Sequence, residues 1–199
     1  MHAAGVRLSG LLSVGLGLDP SFFESCTSEM ADALRLLHYS AEVRTALVGV
    51  MGAGAHSGYG LLTLLATDDV PMLQVRLNGE WLDVPPREGA FICNLGDMLQ
   101  RWRVVTNDEL LSTVHRVVNK LGRERYSVPF FFELNFDTMI CILSRHMPLC
   151  AGVACFPQCC SEENPAKYPP VSAGRYTLQK YSQTQQDFDC NQQNDEKLP

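Results

Sequence analysis

The chain has 199 residues, of which 46% are hydrophobic, and this length and apolar content predict a single domain with one buried core. A formal net charge of −6, without any cluster of basic residues, argues against a surface that binds nucleic acid or anionic lipid. No apolar run reaches the roughly 20 residues that a membrane-spanning helix needs. We therefore expect a cytoplasmic protein that acts on a small molecule and has no nucleic-acid or membrane partner.

The N-terminal region, residues 1–18, is predicted to contain the end of a helix. Gly17 closes its apolar run and Asp19-Pro20 follows, as expected where a glycine ends one helix and a proline begins the next. A secretory signal peptide is the alternative, but Arg7 is the only basic residue before the run, and no small-residue cleavage site follows it. We therefore favour the helix.

The next part of the chain is predicted to contain one helix and the first strand. Asp19 starts a helix that runs to Met30, because apolar residues follow at helical spacing. The short apolar segment 33–39 fits a strand, and the glycine-broken residues 40–53 fit a connection. We assign residues 1–53 to a residual N-terminal helix and first strand.

The central region, residues 54–140, has the pattern of a mainly β domain. Short segments of β-forming residues alternate with turn residues, at a spacing typical of barrels and sandwiches. Asn78-Gly79 predicts a type I′ hairpin turn, since both central positions require positive φ. At most one helical turn is expected over residues 98–102. The predicted strands cover residues 72–76, 80–84, 90–95, 114–118 and 126–133.

The C-terminal region loses this regular pattern. Residues 141–181 are expected to form a loop and a short helix, which Ser172 caps and which ends near Tyr181. The tail, residues 182–199, is rich in Gln, Asn and Asp and is expected to be disordered. A zinc site is conceivable in the cysteine-rich part, but no Cys-x-x-Cys pair occurs there, so free thiols are expected. That part contains Cys141, His146, Cys150, Cys155, Cys159 and Cys160.

The segment around His56 has the features of a metal-binding strand that lacks one ligand. Alternate side chains of a strand face the same way, so His56 shares its face with Gly58, which offers no ligand. Asp68 and Asp69 are expected at the far end of the same strand and are poor substitutes. A second histidine, His115, lies in a later strand. Two neutral imidazoles suit a divalent transition metal, although a hydrogen-bonded histidine pair in a β core is the simpler alternative.

Arg125 and Ser127 stand two residues apart on the last central strand, so their side chains project together. A guanidinium beside a hydroxyl receives a carboxylate in a bidentate manner that a lysine does not reproduce. The apolar residues 128–132 place this strand in the interior, where a lone charge requires a partner. A surface arginine at the start of the strand is the alternative. We predict a carboxylate-binding pair.

Five segments of the chain are informative as an ordered set of motifs. They are residues 56–65, 79–86, 94–99, 112–117 and 125–127. In their order and spacing these motifs resemble the Fe(II)/2-oxoglutarate-dependent dioxygenases of the isopenicillin N synthase-like branch. The resemblance extends over roughly residues 19–181.

The resemblance implies a mainly β fold, the double-stranded β-helix or jelly roll, with flanking helices and the metal at one mouth. It implies that His56 and His115 bind Fe(II), and that Arg125, Ser127 and Tyr39 bind the co-substrate 2-oxoglutarate. The implied reaction uses O2 to couple oxidative decarboxylation of 2-oxoglutarate to hydroxylation or desaturation of a small organic molecule.

The family has an aspartate where this chain has Gly58, so the carboxylate ligand of the metal is absent. Three interpretations follow: a weakened or inactive oxygenase with water in the gap, an iron halogenase that binds halide there, and a non-catalytic pseudoenzyme remnant. A cupin-like zinc or structural protein is a further alternative, but it has no use for Arg125 and Ser127.

The chain also departs from the family pattern in length. The N-terminal part of the family fold is expected to be missing before the segment 16–23. Residues 103–105 and 144–156 resemble insertions. We therefore expect a jelly roll that is incomplete on its N-terminal side.

Overall fold

The computed structural model describes residues 1–29, 32–41, 52–101, 110–140 and 169–183. The helices are α1 (His2–Gly15), α2 (Asp97–Arg101) and α3, whose described part covers residues 173–183, with a 3₁₀ helix at Glu24–Cys26. The strands are β1 (Ala33–Leu34), β2 (Leu37–Tyr39), β3 (Ala53–His56), β4 (Leu62–Thr67), β5 (Leu73–Leu77), β6 (Glu80–Asp83), β7 (Ile92–Leu95), β8 (His115–Val117), β9 (Arg125–Phe132), β10 (Met139–Ile140) and β11 (Val171–Ser172). Within these ranges, no helix has the length and hydropathy to cross a lipid bilayer.

Two antiparallel sheets build the fold. The larger sheet has the strand order β1-β9-β4-β7, with β2 also beside β9, and the smaller has the order β3-β8-β5-β6. The short strands β10 and β11 pair with each other. Neighbouring strands are often distant in sequence, as where β4 lies between β7 and β9. From β3 to β9 the chain passes repeatedly between the two sheets, apart from the hairpin of β5 and β6, as in jelly rolls.

The larger sheet is covered on both faces. One face belongs to a hydrophobic cluster that includes Leu64 and Phe132 and against which residues of α1 pack. The other face meets the smaller sheet, where Leu65 joins a second cluster with Leu73 and Val117. Because side chains alternate along a strand, neighbours on β4 enter different clusters. The space between the two sheets is therefore part of the buried interior.

Helix α1 packs on β9 with small residues at its most buried positions, beside partly buried apolar residues such as Leu8 and Leu12. Its buried residues are Gly5, Ser9 and Ser13. A Cβ at Gly5 would lie 2.5 Å from the Phe132 ring, so only glycine permits this approach. Gly17, with φ of +72°, follows the helix, and the predicted helix end is confirmed.

The helix predicted from Asp19 to Met30 is wrong. Turns and the 3₁₀ helix occupy residues 20–29, and Met30 lies outside the described residues. The Asp19 carboxylate accepts hydrogen bonds from the backbone and the hydroxyl of Ser21, a local arrangement that competes with helix formation. The apolar spacing still buries Phe23 in the core, but over a single short turn.

The strand predicted over residues 33–39 is divided into β1 and β2. Both pair with β9, on either side of Pro129. The Arg35 N–H donates to the Pro129 carbonyl over 3.0 Å, but a proline has no N–H to return. The missing donor therefore interrupts the ladder at this residue.

The prediction that His56 and the following apolar segment form one strand is also wrong. Strand β3 ends at His56 in the smaller sheet, and β4 begins at Leu62 in the larger sheet. The chain crosses between the sheets beside the end of β7, where a Cβ on Gly96 would overlap the Gly60 carbonyl. This close backbone contact is open only to glycine.

Asp68 and Asp69 consequently do not share a strand with His56. The Tyr126 N–H donates to the Asp68 carboxylate, and Arg123 pairs with Asp69 over 3.2 Å. Both carboxylates thus bind groups near the start of β9.

The remaining predicted elements agree with the structure where it describes them. The hairpin between β5 and β6 turns at Asn78-Gly79, with φ of +50° and +87°. Ser172 caps α3, because its hydroxyl oxygen accepts the Arg175 N–H over 3.4 Å. Several predictions fall outside the described residues, and these concern most of 40–53, the segments 103–105 and 144–156, the cysteine-rich part and most of the tail.

Candidate metal and cosubstrate site

The fold brings the two predicted histidines together. His56 ends β3 and His115 begins β8, and the two residues are direct partners in this antiparallel pair. A register irregularity lies between Ala53 and His56. The imidazole centroids are 4.4 Å apart, with the rings inclined by 58°. Two imidazoles at this separation can approach a single ion.

Both rings are held by the same backbone contact. The Nδ1 atom of His56 lies 2.7 Å from the Gly54 carbonyl, and that of His115 lies 2.9 Å from the Thr113 carbonyl. A carbonyl only accepts, so each Nδ1 must carry the proton in these contacts. The tautomer leaves each Nε2 with a lone pair, as in metal-ligating histidines whose other nitrogen is hydrogen-bonded.

The surroundings of His115 favour its neutral ring. Burial lowers the pKa of His115, and the neighbouring His56 lowers it further because two imidazolium charges repel. The Thr113 carbonyl and the Asp97 carboxylate act in the opposite direction. Neutral imidazole is the form that binds a metal.

Gly58 lies in the segment that leaves β3, two residues beyond His56. Its carbonyl accepts the Asp97 N–H over 2.7 Å and the Ser112 hydroxyl over 3.4 Å. A Cβ built on Gly58 would have its nearest neighbour at 3.6 Å, the Gly96 Cα, which is ordinary contact. The position therefore has room for a side chain. In the described ranges, no three His, Cys, Asp or Glu residues form a group that could hold a metal ion.

Arg125 lies on the face of the larger sheet that is opposite to Phe132, since the two differ by an odd number of residues along β9. Its side chain faces the smaller sheet and the residue is 1% exposed. One of its terminal nitrogens, Nη1, donates to the Ser127 hydroxyl over 3.4 Å, whereas Nε has no hydrogen-bond partner among the described residues. Burial lowers the pKa of this guanidinium. An incompletely bonded buried cation fits a carboxylate ligand.

Tyr39 connects this cation to the histidine strands. It is the cross-strand partner of Arg125, and the guanidinium carbon lies 5.2 Å from its ring centre. The same ring lies against Gly52, where a Cβ would be 2.7 Å from it, and Val117 is adjacent. Gly52 precedes β3 and Val117 ends β8. Of the six predicted positions, His56 and His115 thus form one group, with Gly58 two residues beyond His56, and Arg125, Ser127 and Tyr39 form another.

Sequence reasoning missed Asp97, which lies at the start of α2 and is 7% exposed. Its Oδ2 atom accepts hydrogen bonds from Ser57 at 3.1 Å and Tyr176 at 2.7 Å, and Lys180 pairs with it at 3.3 Å. Asp97 belongs to one of the five motifs, so the signal was present. Its partners on α3, Tyr176 and Lys180, are far away in sequence, and no sequence pattern predicts that they contact Asp97.

A cavity of about 270 Å³ adjoins this cluster. Ser57 and Val114, the neighbours of the two histidines in sequence, lie on its wall. Polar groups dominate the lining, which consists of Ser57, Asp97, Gln100, Arg101, Ser112, Val114, Tyr176 and Lys180. The cavity therefore adjoins the sequence neighbours of both histidines, although neither histidine is among its lining residues.

Glu133 is a second carboxylate that sequence reasoning missed, and it is partly buried. Burial and the nearby Asp32 carboxylate raise its pKa to about 7. Its carboxylate lies directly against Gly60, where a Cβ would overlap it. This side chain supports the crossing between the sheets and lies outside the six predicted positions.

Two antiparallel sheets with a cross-strand histidine pair and a buried arginine agree with the arrangement that the resemblance to Fe(II)/2-oxoglutarate-dependent dioxygenases implied. The family model described as "2OG-Fe(II) oxygenase superfamily" matches residues 31–134. This match spans half of the chain, so the chain belongs to the 2OG-Fe(II) oxygenase superfamily.

Curated relatives agree with this assignment. The "2-oxoglutarate-Fe(II) type oxidoreductase hxnY" of Emericella nidulans is 38% identical over 177 residues, which are 87% of this chain and 46% of that protein. The "homoarginine-6-hydroxylase 2-ODD-C23" of Glycine max is 51% identical over 98 residues, which are 48% of this chain and 29% of that protein. The chain spans about half the length, or less, of these relatives.

Solved structures confirm the predicted fold. A full-length Neurospora crassa protein in complex with alpha-KG and thymine superimposes with a TM-score of 0.75 at 30% identity. The comparison covers 92% of this chain and 53% of that one. Together with the two antiparallel sheets, the match confirms a mainly β double-stranded β-helix.

Proposed function

We propose that this chain carries the centre of an Fe(II)/2-oxoglutarate-dependent dioxygenase. In this proposal His56 and His115 bind Fe(II) through Nε2, while Arg125, Ser127 and Tyr39 bind 2-oxoglutarate. The observation that carries the proposal is the cross-strand histidine pair, in which both Nδ1 atoms are engaged by backbone carbonyls. That arrangement fixes the tautomer a metal requires.

The carboxylate-binding half supports the same function. A buried arginine with an unfilled Nε is costly unless a ligand completes its hydrogen bonds. A distal carboxylate of 2-oxoglutarate supplies that acceptor, and the Ser127 hydroxyl adds a donor beside it. Tyr39 contacts the guanidinium from the neighbouring strand, with its ring centre 5.2 Å from the guanidinium carbon.

With iron and 2-oxoglutarate bound, the centre supplies oxidative decarboxylation of the co-substrate by O2 and oxidation of a small organic molecule. The related proteins are named as an oxidoreductase and as a hydroxylase, which favours hydroxylation or desaturation. The proposed partners are therefore a small-molecule substrate and O2, without nucleic acid or membrane. We place the protein in the cytoplasm, where thiols such as Cys26 and Cys93 stay reduced and iron stays ferrous.

We retain the proposed organisation of the chain as well. Residues 54–140 carry the jelly-roll core, and residues 141–181 a C-terminal loop and helix. Residues 1–53 add the N-terminal helix and first strand, and residues 182–199 a tail. The pairing of β1 and β2 with β9 joins the first section to the core.

Gly58 limits the metal half of this proposal. A two-histidine site lacks the bond and the negative charge that a carboxylate would give to a divalent ion. Loss of groups that merely support a ligand typically costs about 10- to 100-fold in affinity or activity, so loss of a ligand should cost at least as much. We therefore propose low activity for the chain as it stands, with a non-catalytic remnant as the second candidate.

A halide-binding iron halogenase is the third candidate. The room around Gly58 supports it, because the nearest atom that a built Cβ meets among the described residues, apart from its chain neighbours, is the Gly96 Cα at 3.6 Å. In such a centre a halide takes the place of the carboxylate.

The test is release of succinate from 2-oxoglutarate in the presence of Fe(II) and O2. We compare the chain as it stands with Gly58→Asp, and use Gly58→Ala as a control that adds a Cβ without a ligand. Gly58→Asp should raise turnover at least about tenfold, whereas Gly58→Ala should not. Equal and substantial turnover in all three variants would overturn the claim that Gly58 limits the site.

Chloride separates the remaining candidates. Chloride-dependent turnover that Gly58→Asp abolishes identifies the halogenase. Failure of every variant to retain Fe(II) identifies the remnant.

A further inference from the structure

The Asp97 carboxylate joins three segments that are distant in sequence. Ser57, next to His56, and Tyr176 and Lys180, both on α3, all contact its Oδ2 atom. Its backbone N–H donates to the Gly58 carbonyl over 2.7 Å. One residue therefore holds both positions that follow His56, through its side chain and its backbone.

The charges around the cavity are engaged within this cluster. Lys180 pairs with Asp97, and the Arg101 guanidinium carbon lies 4.7 Å from the centre of the Tyr176 ring. Burial and the hydrogen bond to Asp97 raise the pKa of Tyr176, so its hydroxyl stays a donor. The arrangement is that of a positioning network.

The described residues do not make Asp97 a third metal ligand, since no group of three candidate ligands close enough to hold an ion occurs among them. Its position instead matters for the backbone that carries His56. The segment after β3 crosses between two sheets, outside the ladder of either one. The hydrogen bonds to Asp97 therefore constrain this segment from the side of α2 and α3.

We infer that Asp97 and Tyr176 are positioning residues, which tie the His56-Ser57-Gly58 segment to α3 and thereby hold the His56 ring against His115. This inference rests on the proposed function for its consequence at the metal, but the positioning itself requires no metal. It predicts that a change on α3 alters the histidine pair.

The first test needs no metal. Amide hydrogen exchange of residues 54–60 is measured in the full chain for Tyr176→Phe, with Tyr181→Phe as the matched control on the same helix. Loss of the 2.7 Å hydrogen bond should speed exchange in this segment about fivefold, the factor that one hydrogen bond typically controls. Tyr181→Phe keeps its ring and should leave the exchange unchanged.

A second readout reports on the rings themselves. Rings with centroids 4.4 Å apart give a nuclear Overhauser contact, and Asp97→Ala should weaken it. Asp97→Asn retains an acceptor for Ser57 and Tyr176 and should restore it. Asp69→Asn, at an exposed carboxylate paired with Arg123, is the control.

The third readout is binding of Co(II) to the full chain carrying Gly58→Asp. Adding Asp97→Ala should weaken Co(II) binding about tenfold, whereas adding Asp69→Asn should not. Unchanged exchange and an unchanged ring contact in Tyr176→Phe and Asp97→Ala overturn the inference. So does an effect of equal size in the control variants.

Failure of the proposed function gives a different result. If Gly58→Asp itself binds no Co(II), the metal assignment is wrong, while exchange and the ring contact still decide whether Asp97 positions His56. If the segment loosens but Co(II) affinity is unchanged, the positioning role at the metal is refuted.

Discussion

Replacement of Arg125 by lysine separates the shape of the guanidinium from its charge. Arg125 is 1% exposed and its Nε has no partner among the described residues. A carboxylate that reaches Nε of Arg125 forms one charge-assisted hydrogen bond with it. A lysine ammonium, which acts as a point charge, does not supply this additional bond. Such bonds contribute about 1.5–3 kcal/mol, so Arg125→Lys should raise the Kd for 2-oxoglutarate about 10- to 150-fold.

The assay is calorimetric titration of the full chain with 2-oxoglutarate. Arg76→Lys is the control, because Arg76 also lies near an aromatic ring, that of Trp81, but on the exposed hairpin. Its substitution should leave the Kd within about twofold, as expected for a distant site. A Kd for Arg125→Lys within about twofold of the parent would refute the carboxylate-binding role of Arg125.

Two further predictions concern stability. The folded-state pKa of Glu133 is about 7, above its ordinary value of 4.5. Between these two pH values the folded chain therefore holds a proton that the unfolded chain has lost. The free energy of unfolding should fall by up to about 3 kcal/mol as the pH rises through this range. Glu133→Gln should flatten this dependence in urea unfolding, and the exposed Glu80→Gln should not. Gly5→Ala should destabilise the chain by about 1–3 kcal/mol through overlap with Phe132, whereas Gly15→Ala on the same helix meets nothing within 4 Å and should stabilise it slightly. Equal melting temperatures for the two alanine variants would contradict this packing.

Local patterns were sufficient for the elements whose structure depends on neighbouring residues. The turn at Asn78-Gly79 requires positive φ at two consecutive positions, which few residues adopt. The cap at Ser172 requires one hydroxyl at the correct distance from the helix start. Both features are determined within a few residues, so the sequence predicts them.

The errors arise where distant residues decide the structure. The division between β1 and β2 follows from Pro129, on a strand much later in the chain. The end of β3 at His56 depends on the contact of Gly60 with Gly96. No pattern in the segment 56–67 predicts that His56 lies in one sheet and residues 62–67 lie in the other.

The same distinction applies to the candidate site. His56, His115 and the Arg125 pair are visible in sequence because each belongs to a short motif. Asp97 also belongs to a motif, but its role depends on Tyr176 and so on how α3 packs. Residue types therefore predict which groups could bind, whereas the groups that hold them emerge only from the packing.

The two halves of the site differ in what they retain. The metal half lacks a carboxylate at Gly58, although there is room for one. The proposed co-substrate half keeps Arg125 buried beside Ser127 and Tyr39, at a cost in stability that a bound carboxylate would offset. Binding of 2-oxoglutarate should therefore persist in a chain whose turnover is low. Affinity and turnover measured separately on Gly58→Asp and Arg125→Lys distinguish a weakened enzyme, in which Gly58→Asp restores turnover, from a remnant that only binds.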